Sequence, residues 1–201
     1  MNRATGKLML KAIIFDVNGV FIRSPKLSER FEKKFGVREK DFLAALEEIM
    51  GKVRLPGAGD AFSYWFPHFE KWNVKLTEEE FFDFWFGAEK EVAEMVLLAR
   101  ELKNKRFKIF ILSNNFKERT EYYDKNFPFL KEVANKIYFS WQIGYLKSDP
   151  NVYQLVIREN NLKPEECIFF DDSQKNVEVA SSLGIKSFLF KDAEQVRNLL
   201  K

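Results

Sequence analysis

The sequence predicts an α/β fold: a parallel sheet covered on both faces by helices, with an all-helical segment inserted after the first strand. Three observations lead there. Short apolar runs rich in Ile, Phe and Val recur at 12–15 (AIIF), 107–112 (FKIFIL), 136–140 (KIYFS), 167–170 (CIFF) and 187–190 (SFLF). Helical patterns separate these runs, and strands alternating with helices mean a parallel sheet. Between the first run and the second, residues 24–104 carry many helix formers and show no clear strand.

Each apolar run is too short for a helix and ends in polar or turn residues, so each reads as a buried strand. The first run leads straight into Asp16 and then breaks at Asn18-Gly19. Helix candidates follow at 29–35, 40–50, 61–72, 77–86 and 88–103, with RLPGAGD at 54–60 as a loop. Thr77 with Glu80 has the spacing of a capping box. In the C-terminal half, PNVYQLVIRENN sets Val152, Leu155 and Val156 on one stripe, and QKNVEVASSLG stops at Gly184. DAEQVRNLLK closes the chain. A helical segment between the first and second strands of such a sheet reads as a cap. The expected division is therefore 1–23 with 105–201 as core, and 24–104 as cap.

The 201 residues, 46% of them apolar, suit one domain or one domain with a small insertion. A net charge of +3 is small against 33 basic and 30 acidic residues, and like charges form no block. The most basic stretch, ELKNKRFKIF, reads as a helix end passing into a strand, so no nucleic-acid partner is expected. The one cysteine, Cys167, leaves no internal disulfide and no Cys-cluster metal site, which fits a reducing compartment. MNRATGKLML lacks the apolar core of a signal peptide, and no run approaches the ~18 apolar residues of a membrane helix. A cytoplasmic protein with no membrane partner is expected, as a monomer or homodimer.

In parallel sheets of this kind ligands bind at the carboxyl ends of the strands. Asp16 follows the first strand, Ser113, Asn114 and Asn115 the second, Lys147 comes beyond the third in GYLKSDP, and Asp171 and Asp172 follow the fourth. Carboxylates without a nearby His or Cys suit a hard cation, Mg²⁺ first. A lysine and a hydroxyl beside them suit a phosphate.

Four segments in this order, FDVNGV, ILSNN, Lys147 in LKSDP and FFDDSQKN, resemble the haloacid dehalogenase (HAD) superfamily of hydrolases. Over 11–22 and 107–190 the chain looks most like sugar-phosphate phosphatases and the phosphatase domains of epoxide hydrolases. The segment 24–104 matches only in being helical and in its point of insertion. The resemblance implies a Rossmann-like sheet with strand order 5-4-1-2-3 and an Mg²⁺-dependent hydrolase of a small phosphorylated metabolite. Asp16 would be the nucleophile that forms an aspartyl phosphate. Ser113 would bind a phosphoryl oxygen, with Asn114 helping through its backbone, and Lys147 would neutralise charge on the transferring group. Asp172 would bind Mg²⁺ with Asp171 close by and the Asn18 carbonyl as a further ligand. Gly19 would let the turn approach the phosphate.

Asn18 departs from the family pattern. Most phosphatases of the superfamily carry an aspartate there, which protonates the leaving alcohol and then activates water; an amide does neither. A slow phosphatase, a substitute acid–base group, or a phosphate-ligand binder without turnover all follow. A dehalogenase is the weaker alternative, since that branch carries an aromatic at this position and needs no metal.

The cap would set specificity. FSYWFPHFEKWNV and FFDFWF hold three of the four Trp, a density that reads first as cap core and second as a substrate slot or subunit interface. His68, the only histidine, reads as structural, and Arg23 and Arg54 are candidates for reaching the substrate against a plain surface role.

Overall fold

A computed structural model describes residues 9–200. Five parallel strands form the main sheet: β1 (Ala12–Phe15), β4 (Lys108–Ser113), β5 (Lys136–Phe139), β6 (Cys167–Asp171) and β7 (Lys186–Leu189). Their order is β5-β4-β1-β6-β7. The labels differ from the expected 5-4-1-2-3 because two short strands, β2 (Ile22–Arg23) and β3 (Lys90–Glu91), enter the count. With those set aside, the order read from the β7 edge is the expected one.

Position in the sheet explains the composition of the strands. Central β1 pairs with β4 and β6, setting Ile13 opposite both Ile109 and Ile168, and all four of its residues are buried. Alternate residues point to opposite faces. Ile13, Phe15, Ile109, Ile111, Ile168 and Phe170 enter one cluster, against α5 (Ala93–Asn104) and α11 (Ala193–Leu199). Ala12, Ile14, Phe110, Leu112 and Phe169 enter the other, against α9 (Pro150–Glu159) and α10 (Gln174–Ser182). Helices on both faces therefore demand the unbroken apolar runs seen in the sequence. On α9, Val152 and Val156 are buried and Leu155 packs against them. Gly184 stops α10 with φ +84°, a left-handed conformation that glycine adopts at no steric cost.

A third cluster belongs to the helical insertion. It is built by α1 (Leu27–Phe35), α2 (Glu39–Val53), α3 (Ala61–Lys71) and α4 (Glu78–Phe86). Its rings interlock: Phe42 stacks on Trp65 at 5.1 Å between centroids, and Phe69 meets Phe81 edge-on at 4.9 Å. The aromatic density is thus largely packing. Thr77 and Glu80 form the expected capping box at the start of α4. His68 sits against the Trp65 and Trp72 rings. Several contacts tie this unit to the loop and helix after β4, two of them at its start. Phe116 is buried in the aromatic cluster, and Glu118, on α6 (Lys117–Asn126), accepts from the first amide of α3 at 2.9 Å.

Two expectations for 24–104 need correction. The segment contains a strand: β3 pairs antiparallel with β2, so the chain leaves and re-enters the sheet domain through a two-stranded ladder. The expected helix at 88–103 consequently starts only at Ala93. Residues 88–92 have helix-compatible composition, but pairing with β2 and the bond from Val92 N–H to the Phe21 carbonyl (2.8 Å) override it. Moreover, α5 buries Met95, Leu98 and Leu102 against the sheet rather than among the insertion's aromatics. No helix among the described residues is long and apolar enough to cross a membrane.

Candidate active site

The carboxyl edge of the sheet gathers the polar groups. The backbone N–H of Asp16 donates to the Phe170 carbonyl as β1 ends (3.0 Å), and one carboxylate oxygen accepts from the N–H of Val17 (2.6 Å). The other oxygen lies 2.8 Å from Lys147 Nζ. The same ammonium reaches Asp171 at the end of β6, 2.6 Å away. Lys147 is only 2% exposed, and two partners hold its backbone: Asn114 Oδ1 accepts from its N–H (2.9 Å) and its carbonyl accepts from Tyr153 O–H (3.0 Å). Asp171 also accepts from Ser173 N–H (2.8 Å) and Asn176 Nδ2 (3.0 Å).

Burial and charge oppose each other here. Burial first, then the neighbouring Asp171, raises Asp16 to about 6 even though Lys147 pulls the other way. Burial would by itself lower Lys147, but Asp16 and Asp171 outweigh it and raise its pKa. Partial enclosure, then Asp171, raises Asp172. One buried ammonium among three carboxylates leaves uncompensated negative charge, which a cation would offset.

The residues present fit such a cation. One carboxylate oxygen from each of Asp16, Asp171 and Asp172 lies within 4.8 Å of the others, an all-oxygen set suited to Mg²⁺. The turn after β1 is shaped around this cluster. Gly19 has φ +79°, and a Cβ there would stand 2.2 Å from Asp172 Oδ2, so a side chain would be strained and would have to push the Asp172 side chain aside. The close approach expected of Gly19 is thus, in the structure, an approach to Asp172.

The remaining expected residues fall around this centre. Ser113 ends β4, is fully buried, and its hydroxyl has no hydrogen-bond partner among the described residues. Asn114 contributes its side chain, through the bond to Lys147, rather than only the expected backbone. Asn18 lines a cavity of about 430 Å³ together with Gly19, Arg23, Arg119 and Asp172. Its Oδ1 accepts from Tyr123 O–H at 2.7 Å. Arg23 donates to the Gly19 carbonyl (3.1 Å), bracing the turn from its exposed side.

Three residues at this edge were not anticipated: Tyr123, Arg119 and Glu89. Arg119 and Tyr123 stand one turn apart on α6, and Arg119 Nε donates to buried Glu89 at 2.8 Å. Burial raises the Glu89 pKa against the pull of Arg119. Their four-residue spacing in KERTEYYDKN was the available signal, since the helix following Ser113–Asn115 must begin at the sheet's carboxyl edge.

Residues 9–184 match the family model of the haloacid dehalogenase-like hydrolases. D-ribitol-5-phosphate phosphatase of Bacteroides thetaiotaomicron is 28% identical over 120 residues, 57% of this chain and 58% of that protein. Bifunctional epoxide hydrolase 2 of Sus scrofa is 25% identical over 209 residues, 93% of this chain but 37% of that protein. The chain thus spans less than two thirds of the length of these relatives. A HAD family enzyme from Bacteroides thetaiotaomicron superposes with a TM-score of 0.80 at 22% identity, over 96% of this chain and 99% of that one. Its complex with magnesium and inorganic phosphate superposes with a TM-score of 0.76. With the parallel sheet, the acidic cluster at its carboxyl edge and a family match across most of its length, the chain belongs to the haloacid dehalogenase-like hydrolases.

Proposed function

We propose that this hydrolase cleaves small phosphate monoesters with Asp16 as nucleophile. The observation that carries the reading is the buried Asp16–Lys147–Asp171 arrangement beside the unpartnered Ser113 hydroxyl. An Asp16 oxygen attacks phosphorus, the bond from phosphorus to the leaving oxygen breaks, and an aspartyl phosphate remains for water to hydrolyse. Lys147 offsets negative charge on the nucleophile and on the transferring group, and Ser113 donates to a phosphoryl oxygen. Asp16, Asp171, Asp172 and the Asn18 carbonyl would hold Mg²⁺, which supplies electrostatic stabilisation of the phosphoryl charge. A phosphatase named for D-ribitol 5-phosphate and a relative solved with magnesium and inorganic phosphate support the same class. Residues 24–104 act as the cap that selects substrates, with α5 returning the chain to the core.

The test is Mg²⁺-dependent release of inorganic phosphate from a panel of monoesters by wild type and Asp16→Asn, with acid-quench labelling of the protein. Wild type should turn over and label; the variant should lose about 10⁴-fold or more. Equal release by both proteins would remove Asp16 from the reaction. A second reading rests on Asn18, whose Oδ1 is engaged by Tyr123 and whose amide carries no transferable proton. If wild type binds Mg²⁺ and phosphate yet neither labels nor releases it, the protein is a phosphate-ligand binder.

A further inference from the structure

Arg54 is a partly buried cation without a partner among the described residues. It caps the C-terminal end of α2, its Nε is buried, and no hydrogen bond or ion pair engages it among the described residues. It lines a cavity of about 440 Å³ whose apolar wall includes Leu27, Met50 and Trp85, with exposed Glu47 at the rim. Arg119 lines the same cavity and also the one that holds Asn18 and Asp172, so the two spaces share a guanidinium as their common wall. Glu89 is committed to Arg119, and no carboxylate is hydrogen-bonded to Arg54 among the described residues. Burial and the like charge of Arg119 both press on Arg54, while Asp16 favours its charged form. The guanidinium of Arg54 thus stands beside that of Arg119 without a bonded counter-ion, in a slot lined mostly by apolar side chains with Glu47 at its exposed rim. Such a slot is stabilised by an anion that brings two acceptor oxygens, as a carboxylate or phosphate does.

We propose that Arg54 and Arg119 form a subsite for a second anionic group on the substrate, so that the preferred phosphate monoester carries a carboxylate or a further phosphate on a short skeleton with an apolar face. The proposal rests on the phosphatase reading above for the reacting phosphate. Arg119 is already fixed by Glu89, so the orientation of one donor is set before the ligand arrives. Arg54 has no competing partner to displace.

Matched pairs test the subsite: glycerol 3-phosphate against 3-phosphoglycerate for a carboxylate, and propyl phosphate against 1,3-propanediol bisphosphate for a second phosphate. With Mg²⁺, wild type should favour the doubly anionic member of at least one pair by about 10–100-fold in KM, as expected for charge-assisted hydrogen bonds. Which pair responds identifies the anion. Arg54→Met should erase that preference while leaving the singly anionic member within about twofold, and Arg54→Lys should restore part of it. Calorimetry on Asp16→Asn reads the same pairs without turnover. If nothing turns over but Asp16→Asn still prefers the doubly anionic ligand and Arg54→Met in that background abolishes the preference, the subsite stands and the phosphatase reading falls. If wild type treats both members of each pair alike, or Arg54→Met and Arg54→Lys weaken both members equally, Arg54 serves the reacting phosphate or the fold and the proposal is overturned.

Discussion

The sheet edge and the helical insertion spend their buried volume in opposite ways. At the sheet edge, Asp16, Ser113, Lys147 and Asp171 are all buried, and the space is filled by charge held in short hydrogen bonds. In the insertion, the space between α1 and α4 is filled by rings such as Phe31, Phe42, Trp65 and Phe81. Aromatic packing is tolerant, because apolar contacts are summed over many partners and no single one is obligatory. A buried charge cluster is not: removing one member leaves the others unpaired. The two regions should therefore fail differently when perturbed.

The largest contrast should come from Lys147→Met set beside Trp65→Ala. Each is expected to cost about 3–5 kcal/mol, the first by stranding two buried carboxylates, the second by opening a cavity. Mg²⁺ distinguishes them. It should raise the melting temperature of Lys147→Met more than that of wild type, because the cation takes over part of the lost compensation. It should raise Trp65→Ala only by the wild-type increment. Identical increments in calorimetric scans of all three proteins would show that the charge cluster is not a unit.

A smaller effect concerns the turn after β1. Asn18→Asp should increase turnover by up to about 10²-fold, most clearly in hydrolysis of the phosphorylated enzyme, since Tyr123 O–H donates to this side chain and favours its ionised form as a base. Rapid-quench kinetics separating the two steps would check this. An unchanged second step would mean that another group already activates water.

The smallest effect is the pH dependence of cation binding. Asp16 titrates near 6 in the metal-free protein against an ordinary 3.8. The folded protein therefore holds a proton there that the unfolded chain has released. This group's contribution favours folding at acid pH and diminishes as pH rises across that window. A cation competes with the same proton, so Mg²⁺ affinity should fall by up to about tenfold per pH unit below 6, with a proton released on binding. Calorimetry in buffers of differing ionisation enthalpy reads the release directly. Affinity constant from about pH 5 to pH 8 would place the titration elsewhere.

How much of this could be read in advance follows from what holds each part. The inner strands β1, β4 and β6 were legible because burial on both faces writes an apolar run, the edge strands β5 and β7 by their short apolar stretches alone, and the gathering of Asp16, Ser113, Lys147, Asp171 and Asp172 at one edge was legible because each follows a strand or its loop. Strands β2 and β3 were not, since two residues leave no period to detect, and pairing between positions some 70 residues apart overrode the helical composition of 88–92. Tyr123 and Asn18 are 105 residues apart, and nothing local in either segment announces their bond. The tie between Arg119 and Glu89 likewise joins two elements whose proximity only the fold creates.

Phe116 carries a consequence for temperature. It lies three residues past Ser113, yet it is buried in the insertion's aromatic cluster rather than in the sheet's, and Glu118 just beyond it holds the start of α3. Any swing of the insertion away from the sheet edge must break the Glu118 bond and wet an aromatic surface. Wetting apolar surface raises the heat capacity. The free energy of opening is then curved in temperature, and if release of product requires opening, an Eyring plot of turnover should bend where one for a substrate-bound chemical step runs straight.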